Sequence, residues 1–128
     1  MKPYIIIAYI IAMVIAGAVA DGFDNNNMQV MGHLLETLEI AMLFSFAFLF
    51  KIVTWRDILL ALGAYICFRV AGFDYMYNWA AGNEWSYMGG GNWWDMFLVK
   101  VPPTGLIFIR TIFFATGLSF IIKEIKWL

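Results

Sequence analysis

Charge is scarce in this chain. Of 128 residues, 8 are Lys or Arg and 9 are Asp or Glu, so 13% are charged while 63% are hydrophobic. A soluble domain carries about a quarter charged residues, so the composition excludes an ordinary water-soluble domain. The net charge of −1 and the lack of a basic run argue against a nucleic-acid partner. Cys67 is the sole cysteine, which excludes an internal disulfide and a redox pair. His33 is the sole histidine, which weakens any metal centre built on imidazoles. Also missing are a glycine-rich phosphate loop and a nucleophile elbow. No cofactor is indicated.

Long apolar runs are what the chain has in place of charge. Four stretch over residues 3–20, 30–50, 56–72 and 103–122. A membrane span needs about 20 residues, within a range of about 17–25. Each run must be helical, because lipid leaves backbone groups no other partner. The chain is thus read as one all-α integral membrane domain, a four-transmembrane-helix bundle. The first run also resembles a signal peptide, with Lys2 ahead of it and Ala18-Val19-Ala20 at its end. It is read here as a retained first span.

Cation placement orients the bundle. Lys2 precedes the first span, Lys51 and Arg56 flank the second loop, and Lys123 and Lys126 lie in the tail. The positive-inside rule then puts both termini in the cytoplasm and residues 73–102 outside. The first loop, DGFDNNN, has no Lys or Arg and reads as a plain polar turn rather than a calcium loop. Residues 73–102 are rich in Trp and Tyr and interrupted by Gly89-Gly90-Gly91. Such a segment predicts one or two short helices in the outer interface, serving as an aromatic belt or as a lid. Asn92 would cap the second, with Asp95 in its first turn, and Pro102-Pro103 would start the fourth span. In the first span, Ala8, Ala12, Ala16 and Ala20 make a ridge of small residues. It suits packing inside the bundle or a homo-oligomer contact.

Charges inside the spans are costly, and so informative. At about 1.5 Å per residue, Glu39 lies about 18 Å above Lys51, and Glu36 about 22 Å. On the same scale Arg69 stands about 20 Å above Arg56, and Arg110 about 20 Å above Lys123. Two acids and two bases from three helices thus share one expected layer. His33 and Asp74 fall higher, near about 27 Å. His33, Glu36 and Glu39 cover an arc of about 120° on their helix, which should face inward around Glu36. Three readings stay open. One is a latch of ion pairs holding the helices in register. Another is a binding or permeation site in which the Arg forks take a carboxylate or phosphate. The third is a metal site using His33, Glu36, Glu39 or Asp74.

The run RVAGFDYMYN (Arg69 to Asn78), followed by YMGGGNWWD and FIRTIFF, resembles a group of small, uncharacterised bacterial and phage membrane proteins. Their signature is Arg-x-x-x-Phe-Asp-x-x-Tyr-Asn with a later Tyr-x-Gly and Asp. The resemblance covers the second half of the chain and implies no activity. It picks out Arg69, Phe73, Asp74, Tyr77, Asn78, Tyr87, Gly89, Asp95 and Arg110 as one set.

Together these features predict an outward-facing polar cavity between spans 2, 3 and 4, in a bacterial inner membrane. Its candidate ligand-binding residues are Arg69, Arg110, Glu36, Glu39, His33, Asp74, Tyr77 and Asn78. The expected function is binding or transport of a small anionic molecule or lipid headgroup. The alternatives are a structural or assembly subunit latched by the Glu/Arg layer, and an interfacial enzyme or metal-binding protein using His33, Glu36 or Asp74.

Overall fold

The computed structural model describes residues 3–51, 54–85, 87 and 93–124. The elements are α1 (Pro3–Asn25), α2 (Gln29–Phe50), α3 (Trp55–Ala81), α4 (Trp93–Leu98) and α5 (Pro103–Ser119), which runs on as a π turn over Phe120–Glu124. Four helical stretches are long and apolar enough to cross a membrane: Pro3–Asn25, Gln29–Phe50, Trp55–Ala81 and Pro103–Ile122.

Backbone chemistry decides where each helix stops. α1 runs through Asp21–Asn25, five residues past the end of its apolar run. It stops at Asn27, which takes φ 60°, a left-handed conformation that Asn tolerates. The Met28 amide then donates back to the Phe23 carbonyl at 2.8 Å, and α2 begins at once. Lys51 ends α2 at φ 50°, its amide donating to Ala47 O. Thr54 caps α3: its hydroxyl accepts from the Asp57 amide at 3.2 Å and donates to the Asp57 carboxylate at 2.6 Å. α3 is longer than the apolar run predicts. Residues 73–81, expected in the outer segment, continue it, because that stretch contains no Gly or Pro, and Gly82 then ends the helix at φ 74°. α5 opens at Pro103, where the missing amide costs nothing. α4 supplies one of the expected short helices, with Asp95 in its first turn. Gly89-Gly90-Gly91 and the expected Asn92 cap lie outside the described residues, as does Lys126 of the tail.

The main packing order is α2–α1–α3–α5, with the π turn also reaching α1 and α3. Near the end that holds both termini, the core is built from large side chains: Ile6, Ile10, Val14, Phe50, Phe68 and Ile121. Toward the other end α1 turns to small residues, with Ala16, Gly17, Ala18, Ala20 and Gly22 all buried. A Cβ on Gly22 would stand 2.6 Å from both the Ala80 Cβ and the Tyr77 carbonyl, so α1 and α3 cross here almost backbone to backbone. The expected alanine ridge divides: Ala16 and Ala20 are buried, while Ala8 and Ala12 are exposed.

Exposure runs opposite to that of a water-soluble protein. Phe48 is 86% exposed and Phe44 74%, whereas Arg110, Asn78 and Asp57 are buried. Large apolar side chains outward and polar ones inward suit a lipid surround.

Candidate functional site

The charged side chains within the long helices form two separate groups, one on each side of the α1–α3 pair. The first is built on Arg69. Its guanidinium reaches the Tyr65 hydroxyl at 2.9 Å, Glu39 of α2 at 3.6 Å and Asp21 of α1 at 3.8 Å. Tyr65 in turn donates to Glu39 at 2.7 Å. Three helices are thereby tied at one point. The Glu39 carboxylate lies in a notch left by Gly17, where a Cβ would collide with it. On α3, Tyr65, Arg69, Phe73 and Tyr77 recur every four residues, so they line one face. Arg69 sits over the Phe73 ring at 4.1 Å, and Phe73 stacks on Tyr77 with centroids 6.2 Å apart. The aromatic rings flatten the long cation against its own helix.

The second group joins α3 to α5. Arg110 donates to Asp74 at 2.9 Å and lies over the Tyr75 ring at 4.2 Å. The Arg110 side chain is 8% exposed, against 37% for Arg69. A groove of about 280 Å³ runs past Arg110, Tyr75 and Thr111 along Ala71, Ile107 and Phe114.

The expected single layer of two Glu and two Arg is therefore corrected. Arg110 meets Asp74, which was placed higher, and not Glu36 or Glu39. The reason is register. Phe120 lies against Gly63, and Gly117 against Cys67 and Phe68. With Arg110 on Asp74, this constant antiparallel register sets Lys123 level with Ala61. Counting α5 from Lys123 as though it matched Arg56 therefore misplaces Arg110 by about five residues, or about 7.5 Å.

The inward arc of α2 is corrected too. Its least exposed positions are Gly32, Leu35, Glu39, Met42, Ser45, Phe46 and Phe50, a helical face with Glu39 near its centre. Gly32 sets this rotation by letting α1 approach: a Cβ there would strike the Asp24 carboxylate and lie 3.1 Å from the Ala20 carbonyl. The Tyr9 hydroxyl fixes the far end of the same face, 2.9 Å from Met42 O and 2.8 Å from Ser45 Oγ. Glu36 and His33 consequently point away from the bundle. They face each other at 3.6 Å, with side chains 57% and 70% exposed.

Asn78 is 1% exposed, and its amide donates to the carbonyls of Trp85 at 3.2 Å and Tyr87 at 2.8 Å. It ties the segment after α3 back onto the helix. The residues expected around one cavity between spans 2, 3 and 4 are instead divided between two sides of the bundle, because α2 packs on α1 and α5 on α3. Among the described residues, no group of three or more His, Cys, Asp or Glu is arranged to hold a metal ion.

Sequence reasoning missed Asp21, Tyr65 and the Gly17 notch. Asp21 was assigned to a loop. The four-residue spacing of Tyr65, Arg69, Phe73 and Tyr77 was a readable signal. Comparisons with protein-family models, with curated proteins and with solved structures each find no match for this chain.

Proposed function

We propose that the protein is a structural or assembly subunit of a membrane complex, in a bacterial inner membrane with both termini in the cytoplasm. One observation carries this reading: the intramembrane arginines end on carboxylates from neighbouring helices. Arg69 joins α3 to α2 and α1, and Arg110 joins α5 to α3. Charges used this way hold helices in register and add little net stability. The exposure of α2 supports the same reading. That helix gives one face to α1 and leaves most of its surface outward.

The test is extraction from the native membrane in polymer-bounded discs, followed by mass measurement. A stoichiometric complex larger than the monomer is the expected result. A monomer alone at native expression levels would overturn the proposal.

A second reading is binding of a small anion or lipid headgroup at Arg69. It is favoured by the 37% exposure of that side chain. Against it stands the local balance, with Asp21 and Glu39 facing one guanidinium. Arg69→Gln would abolish saturable anion binding on this reading and leave complex formation unchanged.

A further inference from the structure

Two stripes of side chains border the gap between α2 and α3. Both helices pack on α1, and between them lies a cleft of about 190 Å³. Ile10 and Met13 of α1 form its floor, Leu43 and Ala47 one wall, and Ile58 and Leu62 the other. At helical spacing the α2 stripe continues through Ile40 to Glu36, and the α3 stripe through Tyr65 to Arg69. Each advances by four, three and four residues, the spacing of a helix–helix seam. Yet Ile40, Leu43, Ala47, Ile58 and Leu62 are exposed, so the cleft is open on its outer side.

Charge is unbalanced at the Arg69 end of this cleft. Asp21, Asp24, Glu36 and Glu39 gather there, Asp24 against Gly32 and Glu39 against Gly17. Among the described residues, Arg69 is the one Lys or Arg that reaches any of them, and it takes Asp21 and Glu39. Glu36 has only His33 beside it, one turn back on the same helix. It stands seven residues into α2, about 10.5 Å along the axis. Leu34 and Leu38 beside it in sequence are exposed as well. A carboxylate facing lipid at that level is costly.

We infer that a transmembrane helix of a different protein lies along the α2–α3 cleft and brings a Lys or Arg to the level of Glu36. This docking surface rests on the subunit reading and gives it a partner. Complementarity selects the occupant. An acyl chain would fill the apolar length of the cleft and leave Glu36 uncompensated. A bare metal ion would find no chelating group, since among the described residues no three His, Cys, Asp or Glu converge. A second copy would bring no spare cation within its long helices, because its Arg69 and Arg110 already sit on carboxylates of their own chain. A foreign helix with one basic residue meets both demands. Its apolar side chains enter the cleft as knobs, and its cation settles on Glu36.

The experiment uses the full chain in its native membrane, with photoreactive benzoylphenylalanine replacing Leu43 in the cleft or Phe108 on the outward side of α5. Both positions are exposed, so the bulkier ring is accommodated. Each adduct is identified by sequencing the crosslinked peptide. Leu43 is expected to capture a different protein through a span that carries Lys or Arg, and a probe at Leu62 on the opposite wall to capture the same one. Adding Glu36→Gln should lower the Leu43 yield about five-fold. That variant is clean, because Glu36 holds no other helix of its own chain. The inference is overturned if neither Leu43 nor Leu62 gives an adduct, or if they capture a second copy of this chain or a span without Lys or Arg. It is overturned equally if Glu36→Gln leaves the yield unchanged. An adduct at Phe108 with none in the cleft would defeat this inference and leave the subunit reading standing, whereas a lone monomer in the polymer-bounded disc would remove both.

Discussion

Arg69 and Arg110 are the same residue on the packed helices α3 and α5, yet the protein treats them differently. Arg110 is buried and has a short bond to the Asp74 carboxylate, across the α3–α5 seam. Arg69 is more than one-third exposed and shares itself among a tyrosine and two carboxylates at 3.6 and 3.8 Å. The first is a closed pair and the second an open hub. A closed pair tolerates the loss of a partner poorly, since the charge left behind is at least partly shielded from solvent. An open hub can redistribute, because more than a third of its side chain stays accessible.

The sharpest way to break this contrast is Arg110→Leu. Removing one partner of a fully buried pair costs about 3–5 kcal/mol, and with the Asp74 side chain 29% exposed the loss here falls at or below the low end of that range. Here Asp74 would be orphaned against Tyr75 and α5. Unfolding in a denaturing detergent, followed by circular dichroism, should show this variant as the weakest of the set. Adding Asp74→Leu to it should restore most of the loss. A double variant as weak as the single one would mean that Arg110 acts through its stacking on Tyr75, and that the ion pair is incidental.

Arg69→Gln should cost less, about 1 kcal/mol, since exposed pairs and interhelical hydrogen bonds in membranes are individually modest. What remains is Glu39 held by Tyr65, with Asp21 near it. Equal losses for Arg69→Gln and Arg110→Leu in the same assay would dissolve the distinction between hub and closed pair.

How far these groups were legible in the sequence differs between them. The four long helices follow from apolar runs alone, because length and lipid allow little else. That Arg69 would meet Glu39 followed from depth counting, since α2 and α3 are joined by a short turn and share an origin. Arg110 did not follow, because α5 has no short link to α3 and its origin had to be assumed. The contact of Gly63 with Phe120 reveals an offset that hydropathy does not encode. Asp21 was lost for another reason. It is itself polar and opens a stretch that ends in Asp24 to Asn27, so the apolar run stops before it, while the helix continues to Asn25 before Asn27 turns the chain. Hydropathy marks where lipid ends, and backbone geometry marks where a helix ends.

The smallest predicted effect concerns the rotation of α2, which decides whether the hub is drawn correctly. Glu36 and Glu39 are three residues apart, and composition alone treats them alike. In the structure Glu39 fills the notch at Gly17 and bonds Tyr65, whereas Glu36 faces outward beside His33. Glu36→Gln should therefore move stability by no more than about 0.5 kcal/mol, as surface changes usually do. Glu39→Gln should cost more, since it strips the charge from the carboxylate that Arg69 and Tyr65 share. Gly17→Ala supplies a control on the same notch. Its new methyl would push the Glu39 carboxylate off α1, so its effect should shrink once Glu39 is already Gln. Were Glu36→Gln to weaken the protein as much as Glu39→Gln, α2 would have to be turned with Glu36 at the centre of its inward face. The Gly17 notch would then have lost its occupant.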